Sequence, residues 1–257
     1  MPSSRIMFVA AVVLSACAVL FSGAALLISA GMLDRSPPPS SEFEKQARSY
    51  LLDNPEVLIE ALRTFEEREQ AAAADELKTL IVERRDDIFN DPASPVLGNP
   101  SGDVTLVEFF DYNCSYCRKA APQMAELQAS DKQLRLVYKE FPILGPGSAF
   151  AARAALASQK QGKYAEFHDA LMTHSGAINE SSTLEVARQV GLDVEQLQRD
   201  MQDPTIQDAI ERNLALAGDL RINGTPSFVV GDEIVRGLTD LPTLQGLIAE
   251  ARTPSDG

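Results

Sequence analysis

Apolar positions fall into three patterns along the chain. The first is an unbroken run: Ile6 to Leu33 has no charged residue, and Ser15, Ser22 and Ser29 interrupt aliphatic stretches spaced by Gly and Ala. As a helix this run would be about 42 Å long, more than the ~30 Å hydrocarbon core requires. It predicts a signal anchor over residues 1–33. Ser22-Gly23-Ala24 offers a rival, a cleaved signal peptide, and Leu14-Ser15-Ala16-Cys17 resembles a lipobox. Arg5 before the run and Asp34 after it orient the N-terminus to the cytoplasm and the rest outward. The second pattern follows a Pro/Ser linker at residues 34–41, whose Ser36-Pro37-Pro38-Pro39-Ser40-Ser41 stretch is stiff and polar. Residues 42–90 are rich in Ala, Glu, Leu, Arg and Gln, and Asn54-Pro55-Glu56 reads as a helix start, so two helices breaking near Asp53 are predicted. Leu58, Leu62, Phe65, Ala72, Leu77, Leu80, Ile81 and Ile88 recur at helical spacing on an otherwise charged rod. The stripe packs either on its own domain or on copies of itself, and a rod that directly follows a spacer favours self-association.

The third pattern begins after a second linker, residues 91–103, marked by Pro92, Pro95, Asn99-Pro100 and Gly102. Val104 to Phe110 reads as a buried strand, Cys117 to Ala129 as a helix kinked by Pro122, and Leu134 to Lys139 as a second strand. From Ser148 to Asp219 the pattern is helical, with Gly162, Gly191, Asp203-Pro204 and a capping box at Ser182 to Glu185 as punctuation. Strands return at Ser227–Val230 and Glu233–Arg236, a last helix spans Leu241 to Ala251, and residues 252–257 form a tail. Strand, helix, strand, helical block, two strands and a helix give an α/β domain over residues 104–251. Two halves around a four-stranded sheet are the layout of a thioredoxin-like fold, here with a helical insert over about 148–219.

Charge narrows the function classes. Against 23 Lys+Arg stand 37 Asp+Glu, and the formal charge of −14 repels phosphate backbones, so no nucleic-acid partner is expected. Removing residues 1–33 takes away one Arg and no acid, which moves the charge from −14 to −15. It also removes Cys17, leaving Cys114 and Cys117 of the three cysteines.

Cys114-Ser115-Tyr116-Cys117 follows a strand and opens a helix, which places the sulfurs one turn apart. Free N–H groups and the dipole at a helix start favour a thiolate at the first cysteine, while the second stays shielded to resolve a mixed disulfide. Cys114 is therefore the expected nucleophile and Cys117 the resolving thiol. A zinc site would need two further ligands, and His168 and His174 lie some fifty residues on with unsuitable spacing, so no metal is expected and both histidines read as helix-surface residues. Soft Cu(I) held on the two thiolates is the competing chemistry.

Val107-Glu108-Phe109-Phe110-Asp111-Tyr112-Asn113-Cys114-Ser115-Tyr116-Cys117 resembles the active-site strand and turn of the DsbA family of exported thiol:disulfide oxidoreductases. Asn223-Gly224-Thr225-Pro226-Ser227-Phe228 resembles its cis-proline loop. Phe141-Pro142-Ile143-Leu144 and Tyr164-Ala165-Glu166-Phe167-His168 are also similar to family segments. Tyr50 to Leu58 resembles the N-terminal segment of the ScsC-like branch, linked to copper tolerance and self-association. The resemblance implies a reversible Cys114–Cys117 disulfide and a substrate strand docking beside Thr225 and a cis Pro226. It also implies a buried Glu108 exchanging a proton with Cys117. Alternation alone leaves Glu108 free to be a water-facing strand acid instead. Ser115 and Tyr116 replace the Pro-His of the oxidase type, so no imidazolium aids Cys114, and the pair should be less oxidising than about −120 mV. Thr225 before the proline is closer to the isomerases. The expectation is an oxidase or isomerase of the periplasm or cell envelope without a cofactor. Its partners would be cysteine-containing exported proteins and a membrane redox partner that resets the site, with a homo-oligomer formed through residues 42–90.

Overall fold

In the computed structural model residues 41–253 are described; the predicted membrane segment, most of the first linker and the last four residues lie outside them. Among the described residues no helix is long and apolar enough to cross a membrane.

The polar, Ala- and Glu-rich segment forms two helices, α1 (Ser41–Asp53) and α2 (Glu56–Glu83), separated at Asn54-Pro55, where proline removes a backbone donor. The chain divides into two units, Met1–Glu67 and Arg68–Gly257. In the first, α1 buries no side chain, and Tyr50, Leu52, Leu58, Ile59, Leu62 and Phe65 are all exposed.

The second unit holds a five-stranded sheet, one strand more than the sequence predicts. Its strands are β1 (Val96–Gly98), β2 (Val104–Phe110), β3 (Leu134–Glu140), β4 (Ser227–Val230) and β5 (Glu233–Arg236), in the order β1-β3-β2-β4-β5. β2 and β3 are parallel, joined through helix α3 (Ser115–Ser130), and the other pairs are antiparallel. The extra strand β1 arises within the segment expected to be linker. Three residues between prolines carry too short a period to be read, and it is pairing with β3 that holds them extended.

Five helices form the insert between β3 and β4: α4 (Pro146–Ser158), α5 (Tyr164–Thr173), α6 (Glu180–Gln189), α7 (Val194–Asp200) and α8 (Pro204–Asp219). The capping box of α6 is Asn179 with Ser182, not Ser182 with Glu185, so the helix starts one turn earlier than predicted. Asn accepts the N3 amide as well as Ser does, and the sequence offers both candidates. Helix α9 (Leu241–Arg252) closes the chain.

β2 is buried on both faces, which is why its sequence shows no alternation. Leu106 and Phe110 face a core with Met124, Leu127, Leu244, Ile248 and much of the insert. Val107 and Phe109 face a second core built with Ile81, Ile88, Phe89, Leu216 and Leu220. The later part of the rod's apolar stripe thus packs on its own domain: Ile81 and Ile88 are buried and Leu77 and Leu80 partly so. At about 1.5–3 kcal/mol per buried aliphatic side chain, this packing fixes the end of α2 against the sheet.

Candidate functional site

Strand β2 ends at Phe110, and the next four residues turn the chain into α3. Asp111 sets this turn: one carboxylate oxygen accepts from the Asn113 N–H at 2.8 Å and the Ser148 hydroxyl at 2.7 Å, the other from the Leu144 N–H at 2.9 Å. Cys114 follows as the N-cap of α3, its Sγ accepting from the Cys117 N–H at 3.4 Å. The same Sγ donates to the Thr225 carbonyl oxygen at 3.2 Å. Pairing of Ser227 with Phe109 brings the preceding Thr225–Pro226 peptide alongside the turn, and that peptide is cis. The Pro226 carbonyl is held by the Gly237 N–H at 2.8 Å.

The two sulfurs differ in access. Cys114 is 6% exposed and Cys117 fully buried, while Tyr116 between them stands 55% exposed, with the Lys119 ammonium 5.3 Å from its ring centre. Both cysteines are thiols in this structure. Burial pushes the Cys117 thiol far above its ordinary pKa, and the nearby Glu108 carboxylate adds to the rise. Ser115 is exposed at the first position of the helix.

Glu108 is 2% exposed, not a water-facing acid. It lies on the Leu106 and Phe110 side of β2. Desolvation, with a smaller repulsion from Cys114, raises its pKa to about 8, and its Oε1 has no hydrogen-bond partner among the described residues. A neutral carboxyl that releases its proton only near pH 8 is chemically suited to hand one to a buried thiolate.

One buried cluster beside the turn escapes sequence reading. The Glu140 carboxyl accepts from the hydroxyls of Tyr112 and Tyr164, each at 3.0 Å, and the Tyr112 hydroxyl lies 3.2 Å from His168 Nδ1. His168, read as a helix-surface residue, is 3% exposed and packs edge-on against Phe110 at 4.9 Å. Burial lowers its pKa to about 3, so the ring is neutral. α5 carries its apolar face through this position, and a lone histidine on that face looks the same in sequence as a solvated one. His174, by contrast, is the partly exposed C-cap of α5. No group of three or more His, Cys, Asp or Glu side chains able to share a metal ion occurs among the described residues.

Residues 105–249 match the sequence family described as DSBA-like thioredoxin domain, and residues 41–72 match the Copper resistance protein ScsC N-terminal domain. A thioredoxin-like oxidoreductase from Silicibacter pomeroyi DSS-3 is 58% identical, with a TM-score of 0.65 over 65% of this chain and 97% of that one. Salmonella enterica Typhimurium BcfH is 28% identical, with a TM-score of 0.71 over 90% of this chain and 100% of that one. A Na(+)/H(+) antiporter NhaA of Herminiimonas arsenicoxydans is 30% identical over 64% of this chain. That match spans only 27% of the antiporter, so the chain covers about a quarter of such curated relatives.

Proposed function

The chain belongs to the DSBA-like thioredoxin domain family, and we propose that it is a thiol-disulfide oxidoreductase that exchanges disulfides with cysteine-bearing exported proteins in the cell envelope. The observation that carries this reading is the seat of Cys114: its sulfur sits at the start of a helix, against the Thr225 carbonyl, with a buried resolving thiol one turn on.

In the oxidising direction a substrate thiolate attacks Cys114 Sγ of the Cys114–Cys117 disulfide, forming a substrate–Cys114 bond and expelling Cys117 as thiolate. Burial makes that thiolate strongly basic, and Glu108, protonated below about pH 8, supplies its proton. A second substrate thiolate then attacks the substrate sulfur and releases Cys114. The substrate loses two electrons and gains a disulfide, and the enzyme is left as the dithiol. In isomerisation the dithiol starts the cycle, with Cys114 attacking a wrong disulfide and leaving again once the substrate has reshuffled. Thr225 and Pro226 form the edge along which an extended substrate strand docks. A membrane redox partner returns the pair to its working state, and the exposed apolar side chains of α1 and early α2 support self-association of the N-terminal unit.

Equilibrating the chain with a glutathione series, and trapping thiols by alkylation and mass, tests the reading and its direction. A midpoint near about −120 mV marks a dedicated oxidase, and one between about −150 and −220 mV an isomerase or reductase. Absence of a reversible pair overturns the proposal in favour of the two thiolates as a Cu(I) site.

A further inference from the structure

Two side chains outside the cysteine motif bolt the Cys114 turn to the segment His174–Asn179 between α5 and α6. Asn113 is the first. Its Oδ1 accepts from the Ile178 N–H at 2.8 Å, while its Nδ2 donates to the Ile178 carbonyl at 2.9 Å and to the Ser148 hydroxyl at 3.0 Å. One side-chain amide thus takes both backbone groups of a single residue, as a neighbouring strand would. Arg118 is the second. Its Nε donates to the Tyr112 carbonyl at 3.0 Å, and one terminal nitrogen donates to the carbonyls of His174 and Gly176, both at 2.9 Å. Gly147 lets the segment come this close, since a Cβ there would collide with the Ile178 carbonyl.

Tyr112, Asn113 and Arg118 bracket Cys114, and Arg118 stands one helical turn beyond it, with its N–H on the Cys114 carbonyl at 3.1 Å. Asp111 ties the start of the turn to Ser148 and Leu144, and the Tyr112 hydroxyl reaches Glu140 and His168. Asn113 and Arg118 add ties on either side of Cys114 itself, to a segment some sixty residues away. We infer that Asn113 and Arg118 are positioning residues. They hold the Cys114 turn on the 174–178 segment, so the seating of that segment sets the place of the nucleophilic sulfur and the balance between dithiol and disulfide. The inference rests on Cys114 being the attacking thiol.

A direction follows. In the dithiol the Cys114 sulfur keeps its place only through weak bonds to Cys117 N–H and the Thr225 carbonyl, whereas in the disulfide a covalent bond holds it. Loosening the clamp therefore costs the dithiol more and shifts the pair toward disulfide. The planar fork of arginine matters as well as its charge, because Arg118 donates from two nitrogens at once, Nε to Tyr112 and a terminal nitrogen to His174 and Gly176, whereas a lysine ammonium gathers its three N–H donors on one nitrogen.

The experiment uses the full chain, with Asn113→Ala, Arg118→Lys and Arg118→Met compared in the glutathione equilibrium and in the rate of mixed-disulfide formation with oxidised glutathione. The expected result is a shift of at least about threefold toward disulfide in each folded variant, the scale of one net hydrogen bond, with Arg118→Lys close to Arg118→Met. If Asn113→Ala does not fold, the Arg118 pair decides. Folded variants whose equilibrium and rate match wild type overturn the clamp, as does an Arg118→Lys that behaves as wild type while Arg118→Met shifts, since charge alone would then suffice. A wild-type chain with no reversible disulfide defeats the function proposed above instead, so the two failures are distinguishable.

Discussion

Glu108 holds its proton more tightly in the folded protein than in the unfolded chain, its pKa rising from 4.5 to about 8 on burial. Between those values the native state carries a proton the unfolded state has lost, so this carboxyl lowers stability progressively as pH rises. His168 acts in the opposite sense. Its pKa falls from 6.5 to about 3, the unfolded chain takes up a proton first, and stability is lost as pH falls through that window. Glu140, whose burial also raises its carboxyl well above the usual range, adds to the fall that Glu108 causes, so stability should decline as pH rises above about 5, read from thermal melts across a pH series. Glu108→Gln should flatten the fall above pH 5 and raise stability at pH 7 by on the order of 3 kcal/mol. The same variant should slow expulsion of Cys117 from the Cys114–Cys117 disulfide by about tenfold or more, measured by stopped-flow reaction of the oxidised protein with a thiol. A stabilised variant with unimpaired exchange would leave Glu108 a buried acid without a proton-transfer role. The sequence marks Glu108 as the one acid in an apolar strand, and its burial was legible only through the family resemblance, because β2 is covered on both faces and has no alternation to read. Tyr112 and His168 lie in segments that resemble the family, but nothing in the sequence joins them to each other or to Glu140. Their partnership exists only because β3 and α5 meet across the turn.

Among the elements, β3 carries an unusual tie. Lys139 is completely buried, and its ammonium donates to the Asp87 carbonyl and the Ser94 hydroxyl, each at 2.7 Å, with the Asp91 carboxylate 3.4 Å away. It joins the sheet to the π-helical turn Asp86–Asn90 and to the connection before β1. Lys139→Met fills the space but takes the ammonium donor from the Asp87 carbonyl and the Ser94 hydroxyl oxygen and the counter-charge from Asp91, and should cost about 2–4 kcal/mol, seen as a lowered midpoint in urea with an unchanged slope. The glutathione equilibrium should stay as in wild type, since Lys139 packs on the face of the sheet away from the cysteines. A shift in that equilibrium would show that the two faces of the sheet communicate. Elements with a long period, such as α2, α3 and the insert, were legible in the sequence, as were β2 and β3 from their β-branched and aromatic content. β1 was not, because an edge strand of three residues is defined by its partner. The start of α6 was misplaced because Asn179 and Ser182 both satisfy the same local rule.

At the scale of the whole molecule, the stripe on the rod divides in two. Its later residues, from Leu77 to Ile88, belong to the sheet domain's second core, while Leu58, Leu62 and Phe65 stay between 48% and 60% exposed in the other unit. The periodicity of the rod was plain in the sequence, but a stripe continuous in one dimension carries no sign of where its partner changes. Three large apolar side chains at helical spacing, with Tyr50 and Leu52 of α1 also exposed, form a surface that a soluble chain normally covers. A second copy of the same unit is the partner we propose, and it makes the role of association testable apart from the chemistry. Cutting the chain to residues 68–257 should leave the Cys114–Cys117 equilibrium with glutathione unchanged, since every residue placed at the site lies beyond Arg68. Light scattering should show the longer chain, residues 34–257, as an oligomer and the shorter one as a monomer. Leu62→Glu with Phe65→Glu should give the monomer without truncation. If isomerisation needs several nucleophiles around one substrate, both monomeric forms should reshuffle a scrambled multi-disulfide protein more slowly while oxidising a dithiol peptide at the wild-type rate. Equal reshuffling by monomer and oligomer would separate isomerisation from association, whereas reshuffling by neither would leave oxidation as the activity of the site.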